Sequence, residues 1–133
     1  MRRQKLDGEG RAVGHVMVTV TLRGLKGERR VENVLVDTGA TWTVIPPEVA
    51  EDIGVIEFPW EIEAKTADGR TKRARAVGLE IQIGEHRAPT LAVVLEGSAV
   101  LVGVRTLEDL GLKVNPVEGK LEPTRPLGVI WAL

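Results

Sequence analysis

The chain has 133 residues, the size of one ordinary domain, and 43% of them are hydrophobic, enough to bury a core and to exclude a disordered segment. The formal net charge of -1 removes the long-range electrostatic case for nucleic acid or an anionic membrane as the main partner. Cysteine is absent, which excludes disulfides, thiolate chemistry and cysteine-ligated zinc.

In chain order, residues 1–11 form a polar, charged N-terminal extension without the apolar run of a signal peptide. Val16, Val18, Val20 and Leu22 then alternate with Met17, Thr19 and Thr21, a period of two that predicts a strand with one buried face. His15 falls at the start of that strand. Gly24-Leu25-Lys26-Gly27 punctuates the chain as a hairpin loop, and residues 31–36 resume as a second strand running straight into Asp37-Thr38-Gly39. Residues 41–45 are β-branched and apolar, predicting a short strand that Pro46-Pro47 ends; Pro47 suits the first position of a single helical turn through residues 48–53.

Residues 60–65 and 71–77 flank Ala67-Asp68-Gly69, where Asp-Gly predicts a two-residue hairpin turn with both residues at positive φ. This hairpin has few large apolar residues, so it reads as an arm over something else. The run Arg70, Lys72, Arg73, Arg75 reads as a solvated strand face rather than a nucleic-acid patch. Residues 79–83 alternate as another strand, residues 90–95 form a continuous apolar strand, and Val100-Leu101-Val102 stops at Gly103. Val104, Leu107 and Leu110 have helical spacing, with Gly111 as the residue just past the helix. The tail is punctuated by Pro and Gly until a final apolar segment, residues 127–133. Many short strands and one helix predict an all-β class, a small barrel or sandwich in a single domain over 1–133.

The informative residues are Leu35-Val36-Asp37-Thr38-Gly39-Ala40-Thr41. An apolar strand delivers a carboxylate to a sharp turn, where it must be turned out, capped or shared with another acid. This loop resembles the active-site loop of the retropepsin-like (retroviral-type) aspartic proteases: two apolar residues, then Asp-Thr/Ser-Gly-Ala/Ser. Leu101-Val102-Gly103 followed by Leu107 is similar to the family's second hallmark, an apolar pair and Gly leading into the single helix. A Gly-tipped hairpin lies between the two, in the family's order.

The resemblance covers about residues 12–112 and implies the barrel of the retroviral aspartic protease with one short C-terminal helix and a flap hairpin. It implies Asp37 as the catalytic carboxylate, Thr38 bonding across a two-fold axis, and Gly39 and Ala40 completing the loop. Thr66, Ala67, Asp68, Gly69 and Arg70 would form the flap tip, Leu101, Val102 and Gly103 would support the loop from behind, and residues 127–133 would either add a strand to a shared interface sheet or close the subunit barrel.

Carboxylate acid–base hydrolysis needs two acids, and close like charges share one proton. Of Asp7, Asp37, Asp52, Asp68 and Asp109, only Asp37 stands in the right context, so the second carboxylate is expected from a second copy across a two-fold axis. The expectation is a homodimeric aspartic endopeptidase acting on peptide or protein substrate. No cofactor, metal, nucleic acid or membrane is expected to take part, and the default location is cytoplasmic. Two other readings stand beside it: a non-catalytic dimeric peptide-binding scaffold on the same fold, and a small β-barrel binding nucleic acid through the basic arm. Scarce Asn, Gln and Met point toward a thermophile source. Val104 where the family often has Arg, a single flap glycine, and bulky Trp42 depart from the family pattern.

Overall fold

A computed structural model describes residues 5–6, 12–13 and 16–132. His15 and most of the N-terminal extension lie outside the described residues. From that extension, β1 (Lys5–Leu6) pairs antiparallel with β2 (Ala12–Val13), which follows it. The barrel begins with β3 (Val16–Arg23) and β4 (Glu28–Val36), joined by the 24–27 loop. Then come β5 (Thr43–Ile45), α1 (Pro47–Ile53), β6 (Ile56–Lys65) and β7 (Thr71–Ile83). β8 (His86–Val94), β9 (Leu101–Val102), α2 (Val104–Leu110), β10 (Leu112–Asn115) and β11 (Lys120–Pro123) complete the chain.

Strand order in the main sheet is β3-β4-β9-β5-β8-β7-β6, and β3 also pairs with β7. That extra pairing, Thr21↔Gln82 through Arg23↔Glu80, closes six strands into a barrel and leaves β6 outside the ring. Closure removes the free edges that an open sheet would carry. β7 serves both parts: residues 80–82 pair with β3, and residues 71–75 carry β6 outward as an arm. The sequence reading divides this strand into 71–77 and 79–83. It is continuous because Gly78 is held in the ladder on both sides, opposite Ile56 of β6 and Leu91 of β8.

The alternating apolar positions meet inside the barrel. Val20, Leu22, Ile45, Val77, Ile81 and Val102 are all fully buried. Strand β4 bends where the β3 register slips between Val18 and Val20, and Asn33 there takes φ 55. Asn is among the few non-glycine residues that tolerate this region. The bulge lets β4 bury Val34 and Val36 while aiming its end at the loop that follows.

Two expectations about helices and tail need correction. Residues 47–53 form a true helix rather than a single turn, so the barrel carries two helices. Pro47 starts α1 and Gly54, at φ 74, ends it. The reason is tertiary: the 24–27 loop caps its C-terminus, with Leu25 N–H donating to the Gly54 carbonyl (2.7 Å) and Lys26 N–H to the Ile53 carbonyl (2.9 Å). The second correction concerns residues 127–133. The barrel closes without them, and residues 127–132 form no strand. Before them lies a hairpin that the sequence reading missed, β10–β11, whose Leu112 is in the core and whose Val114 and Leu121 pack against it. Asn115 makes its turn by accepting the Val117 and Glu118 N–H groups.

The loop cap on α1 depends on close approach at Gly24. A Cβ there would stand 2.4 Å from the Gly54 oxygen and 2.5 Å from the Ile53 oxygen, whereas one at Gly27 meets nothing within 4 Å. Gly24→Ala is therefore expected to lower stability by about 1–3 kcal/mol, the range for overpacking, and Gly27→Ala to change it little. Urea denaturation of the two variants side by side measures this, and equal midpoints would refute the loop-cap account.

Candidate active site

The loop after β4 is held at both ends. Leu35 and Val36 pair in parallel with Leu101 and Val102, and the ladder ends where Asp37 N–H donates to the Val102 carbonyl (2.8 Å). The turn folds on itself: Ala40 N–H donates to the Asp37 carbonyl (3.0 Å), and Gly39 N–H to Asp37 Oδ1 (2.9 Å). This Asx-type turn fixes the carboxylate's orientation. Asp37 is half-buried, while Thr38 beside it is exposed.

Behind the loop, Gly103 touches its backbone. A Cβ at this buried glycine would lie 2.5 Å from the Trp42 carbonyl carbon and 2.9 Å from the Thr43 nitrogen. That approach brings the start of α2 against the loop. The first N–H groups of a helix have no partner within it. Here Val104 N–H donates to the Ala40 carbonyl (2.8 Å) and Arg105 N–H to the Thr41 carbonyl (3.0 Å). The loop carbonyls thus replace the side-chain cap that α2 lacks at Gly103.

Three buried threonines extend the link. Thr43 Oγ1 accepts from Gly103 N–H (3.1 Å) and lies 2.6 Å from Thr106 Oγ1. Thr106 Oγ1 is 2.7 Å from Thr90 Oγ1, and Thr90 donates to Asp109 Oδ2 (2.9 Å). The carboxylate at the far end sets the direction: Thr90 donates to Asp109, Thr106 to Thr90, and Thr43 to Thr106. Every hydroxyl in this core is satisfied, as burial requires. The sequence reading assigned no role to these threonines, because partners 63 and 16 residues apart leave no local pattern.

Asp37 opens onto a cleft of about 890 Å³. Its floor includes Trp42, Val44, Val93 and Leu101, and its roof is the arm, from Ile62 to Ala67. Trp42, which the sequence reading placed near Asp37, lines this cleft; Leu101 lines it as well as supporting the loop. On the arm, Ile62, Ala64 and Thr66 are half-buried while Glu61, Glu63 and Lys65 are exposed, so the period of two points the smaller apolar face inward.

The tip carries Thr66, Ala67, Asp68, Gly69 and Arg70 together, but not as the expected two-residue turn. Only Gly69 has positive φ (83), and Thr66 N–H donates to the Arg70 carbonyl (2.9 Å) around a three-residue loop. Asp68 stays out of that region because its carboxylate is engaged by the Thr66 hydroxyl and the Arg70 N–H. Those bonds, Thr66 first, hold the Asp68 carboxyl below its ordinary range. Acids across the strands match Arg75 (Glu57) and Arg73 (Glu61, 3.8 Å), and within the tip Asp68 matches Arg70 (3.4 Å). Of the tryptophans, Trp60 stacks on Phe58 with centroids 5.4 Å apart yet is half exposed, and Trp131 is 74% exposed, so neither is ordinary core packing.

Among the described residues no cluster of His, Asp and Glu is arranged to hold a metal ion, and no helix is long and apolar enough to cross a membrane. The sequence model of a family described as gag-polyprotein putative aspartyl protease matches residues 24–109, which run from the β3–β4 loop through nearly all of α2 and include every residue of the loop, the arm and Gly103. No curated protein matches the chain.

Two outcomes are expected from this geometry. Thr106→Val keeps the shape but interrupts the hydroxyl chain, leaving Thr43 and Thr90 short of a buried partner; a loss of about 1–3 kcal/mol is expected in chemical denaturation, and an unchanged midpoint would remove the chain from the account. Because the Asp68 carboxyl is depressed in the folded arm, its stabilisation of the tip is present above the ordinary carboxylate value and is lost as pH falls through the lowered one. An NMR titration of Asp68 should show that depression relieved in Thr66→Val; the same titration curve in both proteins would contradict it.

Proposed function

The chain belongs to the gag-polyprotein putative aspartyl protease family, and from that premise we propose that it is an aspartic endopeptidase active as a homodimer. The observation that carries the proposal is Asp37 itself, placed at the end of β4 and facing a cleft roofed by a hairpin arm. The other carboxylate on the cleft lining, Glu63, belongs to the exposed face of the arm. A water molecule is activated by an ionised acid while a second, protonated acid polarises the peptide carbonyl. The second acid is Asp37 of another copy, brought in by a two-fold axis that needs no additional sequence.

Two surface features support that symmetry. Thr38 is exposed beside Asp37, where an identical loop could reach it. Leu127, Val129, Ile130 and Trp131 expose a run of apolar surface that a second copy would cover. Their path is fixed from within: the Arg125 guanidinium donates to the Glu108 and Asp109 carbonyls at the end of α2 (3.0 and 2.8 Å) and to the Val129 carbonyl (2.6 Å). A cation on the last carbonyls of a helix is favourable on both hydrogen-bonding and dipole grounds.

The arm completes the reaction chamber. Closing it over a bound peptide excludes water and presents the backbone of residues 66–70 to the substrate. The apolar floor at Trp42, Val44, Val93 and Leu101 favours peptides with apolar side chains next to the scissile bond.

Asp37→Asn is expected to lower peptide cleavage by about 10²–10⁴-fold or more, with an acidic-side optimum in the unmodified protein and an unchanged dimer in the variant. Cleavage of an unstructured peptide, measured with sedimentation of both proteins, tests it. Retained turnover in the variant, or a wild-type protein that is active as a monomer at micromolar concentration, would overturn the shared dyad. Peptide binding without cleavage at any pH would instead favour the scaffold on the same fold.

A further inference from the structure

At the root of the arm, a second cleft of about 770 Å³ opens between β6, the middle of β7 and β8, and the exposed side of α2. Its size lies within the ~300–1,000 Å³ span of small-molecule sites. Phe58, Leu79, Leu91 and Pro89 make apolar walls, and Leu25 and Ile56 stand at the rim with much of their surface in water (80% and 51% exposed). Exposed aliphatic side chains around a concave apolar surface mark a place where a ligand gains by covering them.

Four charged residues border this cleft, and three are already engaged. Arg23 is bonded to Glu28 (3.3 Å), Glu80 (3.0 Å) and Gln82 (2.7 Å). Glu80 is shared between Arg23 and Arg87 (3.4 Å). Asp109 accepts from Thr90 at the end of the hydroxyl chain. The Arg105 guanidinium alone has no side-chain partner among the described residues, although its own backbone N–H is held by Thr41. Its planar fork of donors matches a carboxylate, and the apolar walls beside it match a hydrocarbon or aromatic body.

We propose that this cleft is a ligand site for a small amphipathic monocarboxylate, with its apolar body against Phe58, Leu79 and Leu91 and its carboxylate on Arg105. The charge pattern favours an anionic head: Glu80 is paired with Arg23 and Arg87, Asp109 accepts the Thr90 hydroxyl at Oδ2, and a cationic head would meet Arg105 directly. The location gives the site a connection to the rest of the fold. Its walls include Ile56 and Phe58 at the root of the arm, and Thr90 and Asp109 at the end of the hydroxyl chain that begins behind the Asp37 loop. A ligand there touches both elements that frame the first cleft without entering it.

An amide NMR titration of the intact protein with decanoate tests the site, with decanol and decylammonium as comparison ligands. Decanoate should perturb the Gly78, Leu79, Leu91 and Arg105 amides and leave those of Trp42, Val44 and Ala64 unmoved. It should bind roughly fivefold or more tightly than decanol, the effect of a paired carboxylate at a partly exposed site. Arg105→Gln should abolish that advantage with the remaining spectrum superimposable, and Arg105→Glu should reverse the preference toward decylammonium. Equal binding of the three ligands, perturbations centred on the Asp37 cleft, or indifference to Arg105→Glu would each overturn the proposal. No step of the titration needs peptidase turnover, so its failure and a failure of the endopeptidase reading are separate results.

Discussion

The close approach of Gly103 to the Trp42–Thr43 backbone is the contact on which the site depends. No side chain fits there, since even a methyl carbon would stand 2.5 Å from a carbonyl carbon. Because the two backbones meet, the first N–H groups of α2 reach the Ala40 and Thr41 carbonyls, and Thr43 reaches Gly103 N–H. The loop around Asp37 is then fixed on one side by the β4–β9 ladder and on the other by a helix start. A short loop with few side-chain contacts of its own gains rigidity from two regular elements, which is what a carboxylate needs if its position is to be reproducible.

The rest of the molecule divides by how it is held. The barrel strands bury Val20, Leu22, Ile45, Val77, Ile81 and Val102 completely and close without an edge. The arm is built differently. Strand β6 pairs on one side only, and between Glu57 and Glu61 it bulges away from β7 at Phe58, Pro59 and Trp60. Outside that bulge its stabilisation comes from cross-strand pairs such as Arg75 with Glu57, which are exposed and individually weak. An element with few buried contacts lies at the low end of local stability. Of the departures from the family pattern, the single tip glycine lies at the end of the arm and the bulky Trp42 side chain lines the cleft, whereas Val104 opens α2.

The barrel strands and α2 were legible because their signals are local. Alternation in residues 16–22, the apolar run into Asp37, and the spacing of Val104, Leu107 and Leu110 each lie within one element. The helix bounds and the left-handed Gly111 agree with that spacing. What escaped has partners distant in sequence. The helical state of residues 47–53 rests on N–H donors from residues 25–27, the β10–β11 hairpin on packing against the core, and the continuity of β7 on the pairing of Gly78 with both β6 and β8. At the arm tip the Asp-Gly signal identified a turn correctly but not its type, because the Thr66 hydroxyl and the Arg70 N–H compete for the Asp68 carboxylate.

Sequence alone singled out the candidate acid: Asp37, between an apolar strand and Thr-Gly, with an apolar pair and glycine some sixty residues later. Covalent order and periodicity suffice for that, since both are properties of neighbouring residues. Tertiary structure decided what surrounds Asp37. Only folding places Gly103 on the Trp42 backbone, joins Thr43, Thr106 and Thr90 into one hydroxyl chain ending at Asp109, and leaves residues 127–132 outside a barrel that β3 and β7 have already closed. These are contacts between residues far apart along the chain, and they exist only once the hydrophobic core has brought their strands together.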